Sequence, residues 1–174
     1  MPLYTRNLFI LLTSTCLFFS SFYLLLPTLP EYTVLIGGDY TDVGIVIGAF
    51  TLSSVLFRPI AGKFTDRYGR KPLLISGAVI FFLSPFLYLI AGRMNPLLLV
   101  RIFHGVGIAA FTVSSVTMIA DMSPTHRRGE AFGAFGLAAM IALTGAPAVG
   151  TWFKIHFSFT AVFLAEAVLA AISV

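Results

Sequence analysis

Arg58, Arg101, His104 and Glu166 stand inside long apolar runs of a 174-residue chain that is 58% hydrophobic and only 10% charged. Such residues can exchange protons or grip a polar guest. Arg101, His104 and Gly105 lie at positions i, i+3 and i+4, and helical spacing carries the same face on through Ile108, Thr112 and Ser115. A charge inside an apolar helix faces a bundle interior or a cavity. Arg101 is only about five residues into its run, so snorkelling to the near interface is the alternative reading. His104 titrates near neutral pH when unperturbed, which suits either a proton carrier or a satisfied structural histidine. Glu166 is the one carboxylate deep in an apolar run. Unpaired in lipid it would keep its proton, because desolvation disfavours the charged form. It is a candidate proton site, or a neutral acid bonded sideways to a neighbouring helix. Arg58, four residues from a charged stretch, reads as snorkelling to an interface.

The elements that must position these groups are membrane helices. A soluble domain carries about 25% charge, and a chain with mean hydropathy +0.97 lacks the polar surface to cover itself in water. A spanning helix needs about 20 mostly apolar residues. Six runs approach that length, at 8–29, 43–61, 73–92, 96–120, 131–153 and 157–174. The first is too long for a cleaved leader and lacks a small-x-small cleavage site. The sixth reaches Val174 without a flanking polar loop, so a fragment with helix 6 cut short is expected. Connections are short apart from 30–42, so consecutive helices are antiparallel neighbours in an all-α bundle.

Cytoplasmic loops collect Lys and Arg. One side of the bundle would hold Arg6, Lys63, Arg67, Arg70, Lys71, Arg127 and Arg128; the other holds Arg93 and Lys154 with Glu31, Asp39 and Asp42. Seven bases against two put the amino terminus in the cytoplasm. The same bias accounts for the net charge of +4 without nucleic acid. Cys16 is the single cysteine, so no intramolecular disulfide forms.

Between the second and third runs lies Gly62-Lys63-Phe64-Thr65-Asp66-Arg67-Tyr68-Gly69-Arg70-Lys71-Pro72. It reads as a tight charged hinge. Asp66 and Arg70 are four apart and would face each other on a helical turn. Gly62 would let the helix end approach a neighbour, and Gly69 permits a left-handed turn. Arg67 and Lys71 can reach anionic head groups. On one face of the second run Gly44, Gly48, Thr51, Val55, Arg58 and Gly62 recur, a small-residue pattern that favours close helix packing in lipid.

This stretch resembles the loop between helices 2 and 3 of the major facilitator superfamily of transporters, whose pattern is Gly-x-Leu-Ala-Asp-Arg-x-Gly-Arg-Arg/Lys; Phe64 and Thr65 replace the Leu and Ala. Arg101-x-x-x-Gly105-x-Gly107 resembles the family's helix 4 motif, and Pro27 and Pro30 match its Pro-x-x-Pro at the end of helix 1. In helix 5 the stretch from Ala142 through Gly145, Ala146 and Pro147 to Gly150 resembles the Gly-x-x-x-Gly-Pro-x-x-Gly-Gly of the export members. There Ala142, Ala146 and Thr151 replace glycines.

The resemblance implies the amino-terminal six-helix bundle of a fold in which two bundles rock around a central cavity. It implies that Asp66 and Arg70 join Asp121, at the cytoplasmic end of helix 4, in a conformational latch. It further implies that Arg101 assists proton movement and that the proline-containing part of helix 5 forms a gate. The function expected is proton-coupled export of small molecules or drugs across the cell membrane by alternating access, in the manner of the drug/proton antiporter branch. Two alternatives stand: import of a sugar, metabolite or anion, for which Arg101 and His104 would bind substrate, and a non-transporting membrane scaffold. The expected partners are a small molecule, protons, the bilayer and a carboxy-terminal half. The sequence has no phosphate-binding loop and no His-Glu-x-x-His pattern, and no Gly-x-Ser-x-Gly. No cofactor, metal or enzymatic activity is implied.

Overall fold

The computed structural model describes residues 3–174, and they form helices throughout. In chain order these are α1 (Arg6–Leu25), α2 (Thr28–Leu35), α3 (Tyr40–Tyr68), α4 (Arg70–Ile90), α5 (Met94–Met122), a 3-10 turn (Thr125–Arg127), α6 (Arg128–His156) and α7 (Phe159–Ile172). By length and composition five segments can cross a membrane: α1 with α2, α3, α4, α5, and α6 with its preceding turn; α7 is apolar but shorter.

Local chemistry sets the ends. Asp39 and Asp42 form a reciprocal capping box at the start of α3, with bonds of 2.8 and 3.0 Å. The Ser158 hydroxyl accepts from the Ala161 N–H to start α7. Ser123 precedes Pro124 and is therefore extended (φ −101°, ψ 133°), which stops α5.

The first expected run, 8–29, is in fact divided. α1 stops at Leu25, Pro27 caps α2, and Pro30 falls in the first turn of α2, where its missing N–H would have had no helical partner. Only residues 36–39 of the 30–42 connection therefore lie outside helices.

The hinge at 62–72 is also shorter than the sequence suggests. Residues 62–68 continue α3, and Gly69 alone, at φ +89°, separates it from α4. Because the helix ends between them, Asp66 and Arg70 do not share a turn.

α5 packs against α3 and α4, α1 packs against α6 and α7, and α4 meets α7. Exchanging the two triplets, α1/α2–α3–α4 and α5–α6–α7, maps this set of contacts onto itself, the arrangement of a three-plus-three repeat. At the centre Phe18 of α1 stacks on Phe111 of α5, with rings 3.6 Å apart and 2° from parallel.

In lipid no hydrophobic effect holds helices together, so close backbone approach matters. A Cβ on Gly77 of α4 would lie 2.6 Å from the Phe111 nitrogen of α5; on Gly107 it would meet Ile80 at 2.6 Å. A Cβ on Gly105 would overlap Ser53 and the Phe50 carbonyl of α3, and one on Gly150 of α6 would overlap the Leu24 carbonyl of α1. The α3 glycines behave otherwise. Gly44, Gly48 and Gly62 have nothing within 4 Å of an added Cβ. Their face is open in this chain, and Gly62 makes no close helix approach. The period identified which residues share a face but not whether a neighbour lies on it.

Candidate functional site

The buried ionisable residues Arg101, His104 and Glu166 converge with Tyr88 between α3, α4, α5 and α7. Arg101 is 5% exposed and does not snorkel. Its Nε donates to the Val46 carbonyl of α3 at 3.3 Å, and its Nη1 donates to the Tyr88 hydroxyl of α4 at 3.3 Å. The guanidinium lies 4.2 Å from the centre of the Phe50 ring, a cation–π contact. Gly105 makes this possible: without a side chain there, α5 comes close enough to α3 for Arg101 to reach a main-chain carbonyl.

Tyr88 and His104 are fully buried, and the hydroxyl is 2.9 Å from His104 Nδ1. The other face of the imidazole looks at α7. His104 Nε2 and Glu166 Oε1 are 3.5 Å apart, with both side chains wholly shielded. That gap is too wide for a full hydrogen bond. His104 Nε2 and both carboxyl oxygens of Glu166 have no hydrogen-bond partner. Phe81 packs edge-on against the imidazole at 4.0 Å, and Phe163 lies against Tyr88 at 5.4 Å. The result is a row, Arg101–Tyr88–His104–Glu166, running from a permanent cation to a carboxyl group inside an apolar bundle.

Helical spacing put Arg101 and His104 on one face and left Glu166 apart from them; it missed Tyr88, which joins the first two. A buried tyrosine usually finds a partner for its hydroxyl, but no spacing rule links positions 88 and 104 on antiparallel helices. Thr112 is not part of the row. Its hydroxyl donates to the Ile108 carbonyl at 2.6 Å, and it lines a shallow depression with Arg58, Val113, Val116 and Thr117.

A second group of ions lies at the ends of the bundle. Arg70 Nε bonds Asp121 Oδ2 at 2.7 Å, tying the start of α4 to the end of α5. Asp66 is exposed and makes no ion pair among the described residues. The expected three-membered cluster is therefore a pair, because Gly69 turns the chain between Asp66 and Arg70. Arg67 and Lys71 are exposed. At the same end Arg127 makes a two-pronged bond to Glu130 (2.7 and 2.8 Å), which also accepts from the Tyr4 hydroxyl at 2.8 Å.

At the opposite end Lys154 of α6 bonds both Glu31 oxygens of α2 at 2.6 Å. The triplet exchange relates the two long-range pairs. In each, a base where the second helix of one triplet ends meets an acid at the far end of the first helix of the other.

In α6, Ala142, Ala146 and Gly150 face inward with Ala138, while Gly145 is exposed and open. Pro147 is half-buried, the helix runs through it unbroken, and the Thr151 hydroxyl donates to the Pro147 carbonyl at 3.0 Å. Ala138, Ala142, Ala146 and Gly150 thus form a small-residue contact surface for α1, and Gly145 of the expected gate is not in it.

The sequence profile of the Major Facilitator Superfamily matches residues 11–174. The chain is 29% identical over 128 residues to the quinolone resistance protein NorA of Staphylococcus aureus, across 74% of this chain and 33% of that protein. It is 32% identical over 172 residues to multidrug resistance protein 1 of Bacillus subtilis, across 95% of this chain and 43% of that protein. The chain therefore spans less than half the length of these curated relatives. With apolar spanning helices, a buried ionisable row and a profile match over nearly its whole length, the chain belongs to the Major Facilitator Superfamily of transporters.

Proposed function

We propose that this chain forms the amino-terminal bundle of a proton-driven exporter of small molecules or drugs, working by alternating access in the cell membrane with its amino terminus in the cytoplasm. A second six-helix half completes it and covers the open face of α3. The observation that carries the proton coupling is the row Arg101–Tyr88–His104–Glu166. Ionisable groups inside a membrane bundle are expensive to keep and mark ion or proton pathways, and this row has unsatisfied atoms at its carboxyl end. The names of the relatives, quinolone resistance and multidrug resistance, favour export of drug-like molecules over import. The bias of seven bases against two supports the orientation.

Arg70–Asp121 and Glu31–Lys154 serve as latches at the cytoplasmic and outer ends. Their relation by the triplet exchange suits a machine whose two ends open in turn. Asp66, exposed beside the first latch, is free to meet the second half.

The test is flux through the full-length protein in sealed vesicles with an imposed pH gradient, using a labelled panel of drug-like molecules. Accumulation that follows the gradient and collapses with a proton ionophore supports the reading. Flux indifferent to the gradient refutes the proton coupling, and no flux of any panel member refutes the export of drug-like molecules.

A further inference from the structure

We infer that Glu166 is the proton-binding group of this bundle and that Tyr88, held by Arg101, positions His104 so that its Nε2–H faces the Glu166 carboxyl. The inference deepens the coupling reading above, but it concerns where one proton sits and can be tested without transport.

Arg101 has only donors. Its Nη1–H therefore occupies one lone pair of the Tyr88 oxygen, and the Tyr88 hydrogen must find its own acceptor. The buried acceptor within reach is His104 Nδ1, at 2.9 Å. Were Nδ1 to carry the hydrogen instead, the Tyr88 O–H would be left in a fully buried site with nowhere to donate, a loss that folded proteins avoid. So Nδ1 accepts, and in the neutral ring Nε2 bears the hydrogen. That hydrogen points across the 3.5 Å gap at Glu166 Oε1. A small side-chain adjustment of Glu166 closes the gap to a hydrogen bond.

Oε1 can accept from Nε2–H whether Glu166 is a carboxylate or a carboxylic acid; in the acid the proton goes on Oε2, which has no partner, so the protonated row keeps its tautomer and carries one unsatisfied buried O–H. The row therefore binds and releases a proton at one atom without rearranging. With Glu166 ionised its charge balances Arg101 three links away; with Glu166 protonated the row carries one net positive charge. The proton comes from water on one side of the membrane and leaves to water on the other.

The surroundings add no competitor. α5 contributes Arg101 and His104, and α4 contributes Tyr88. On α1, Cys16 and Tyr23 are half-buried without a bond to the row, and Arg6 is exposed at the helix start. Arg127 of the 3-10 turn pairs with Glu130 of α6, Lys154 is engaged at the far end of α6, and His156 is exposed. Tyr32, whose hydroxyl donates to the Tyr88 carbonyl at 3.1 Å, fixes the α4 backbone from α2 and takes no part in the proton relay.

The experiment is an infrared pH titration of the full-length protein in lipid nanodiscs, reading carboxylic-acid C=O stretches that move in heavy water. The wild type is expected to show such a band, and Glu166→Gln to lose it. Glu166→Asp, which keeps an acid in the site, retains a titrating band at a changed position and guards against loss through misfolding. Tyr88→Phe frees Nδ1 to carry the hydrogen, so Nε2 becomes an acceptor for a protonated Glu166. The band should then persist to about one pH unit higher, about tenfold in proton affinity. A spectrum unchanged in Glu166→Gln overturns the assignment of the proton, and an unshifted or oppositely shifted band in Tyr88→Phe overturns the positioning role. A band lost in Glu166→Gln while gradient-driven flux stays at the wild-type level leaves the proton site standing and refutes its part in coupling.

Discussion

Gly105→Ala should damage both the packing and the transport of this protein, for one geometric reason. The added Cβ would fall on the Ser53 side chain and 2.5 Å from the Phe50 carbonyl. Ser53 has some freedom to turn, but a main-chain carbonyl inside a helix does not, so α5 must move away from α3. Overpacking of this kind costs about 1–3 kcal/mol, and the rigid partner puts Gly105→Ala towards the upper end. The same displacement pulls Arg101 from the Val46 carbonyl and from the Phe50 ring, which now lie at 3.3 and 4.2 Å. Stability and proton-driven flux should therefore fall together. Gly48→Ala is the control for the crossing: an added Cβ there has open space within this bundle, so the approach of α5 to α3 and the contacts of Arg101 stay as they are. Ser53→Ala in the Gly105→Ala background should restore part of the loss, because it removes the nearer obstacle and leaves the carbonyl. Thermal unfolding of the purified full-length variants, with flux measured in parallel, reads both effects. Gly105→Ala as stable as the wild type, or destabilised with normal proton-driven flux, would refute the link between this crossing and the row.

Reversing the Arg70–Asp121 pair should show coupling. Arg70→Glu and Asp121→Arg each juxtapose like charges and the double variant restores attraction, worth about 0.2–1 kcal/mol for side chains 35% and 51% exposed. A double-mutant cycle on the populations of inward- and outward-open states reads it, and a coupling of zero removes the latch. The same cycle on Glu31→Lys and Lys154→Glu should shift those populations in the opposite direction; a shift of the same sign contradicts the alternating arrangement. Both couplings should weaken as salt is raised. Impermeant amine labelling of intact cells should spare Lys63 and Lys71, and modification of either from outside would invert the orientation.

Composition and the lengths of the apolar runs were enough to place this chain in a bilayer, because both answer to the thickness of hydrocarbon and the cost of burying charge. The sequence also supplied the family resemblance, through residues close together in the chain: the 62–72 stretch, the Arg101–Gly107 motif and the prolines at 27, 30 and 147. Arg101, His104 and Glu166 were conspicuous for the same reason, as ionisable groups in apolar surroundings. Periodicity could not say what those groups touch. The meeting of Tyr88 with His104, the turn at Gly69 that separates Arg70 from Asp66, the open face of Gly44 and Gly48, and the pairing of Lys154 with Glu31 all depend on how antiparallel helices are set beside one another. That placement is decided by close backbone contacts at Gly77, Gly105, Gly107 and Gly150 between segments far apart in the chain, and pairings of that kind leave no regular spacing to read.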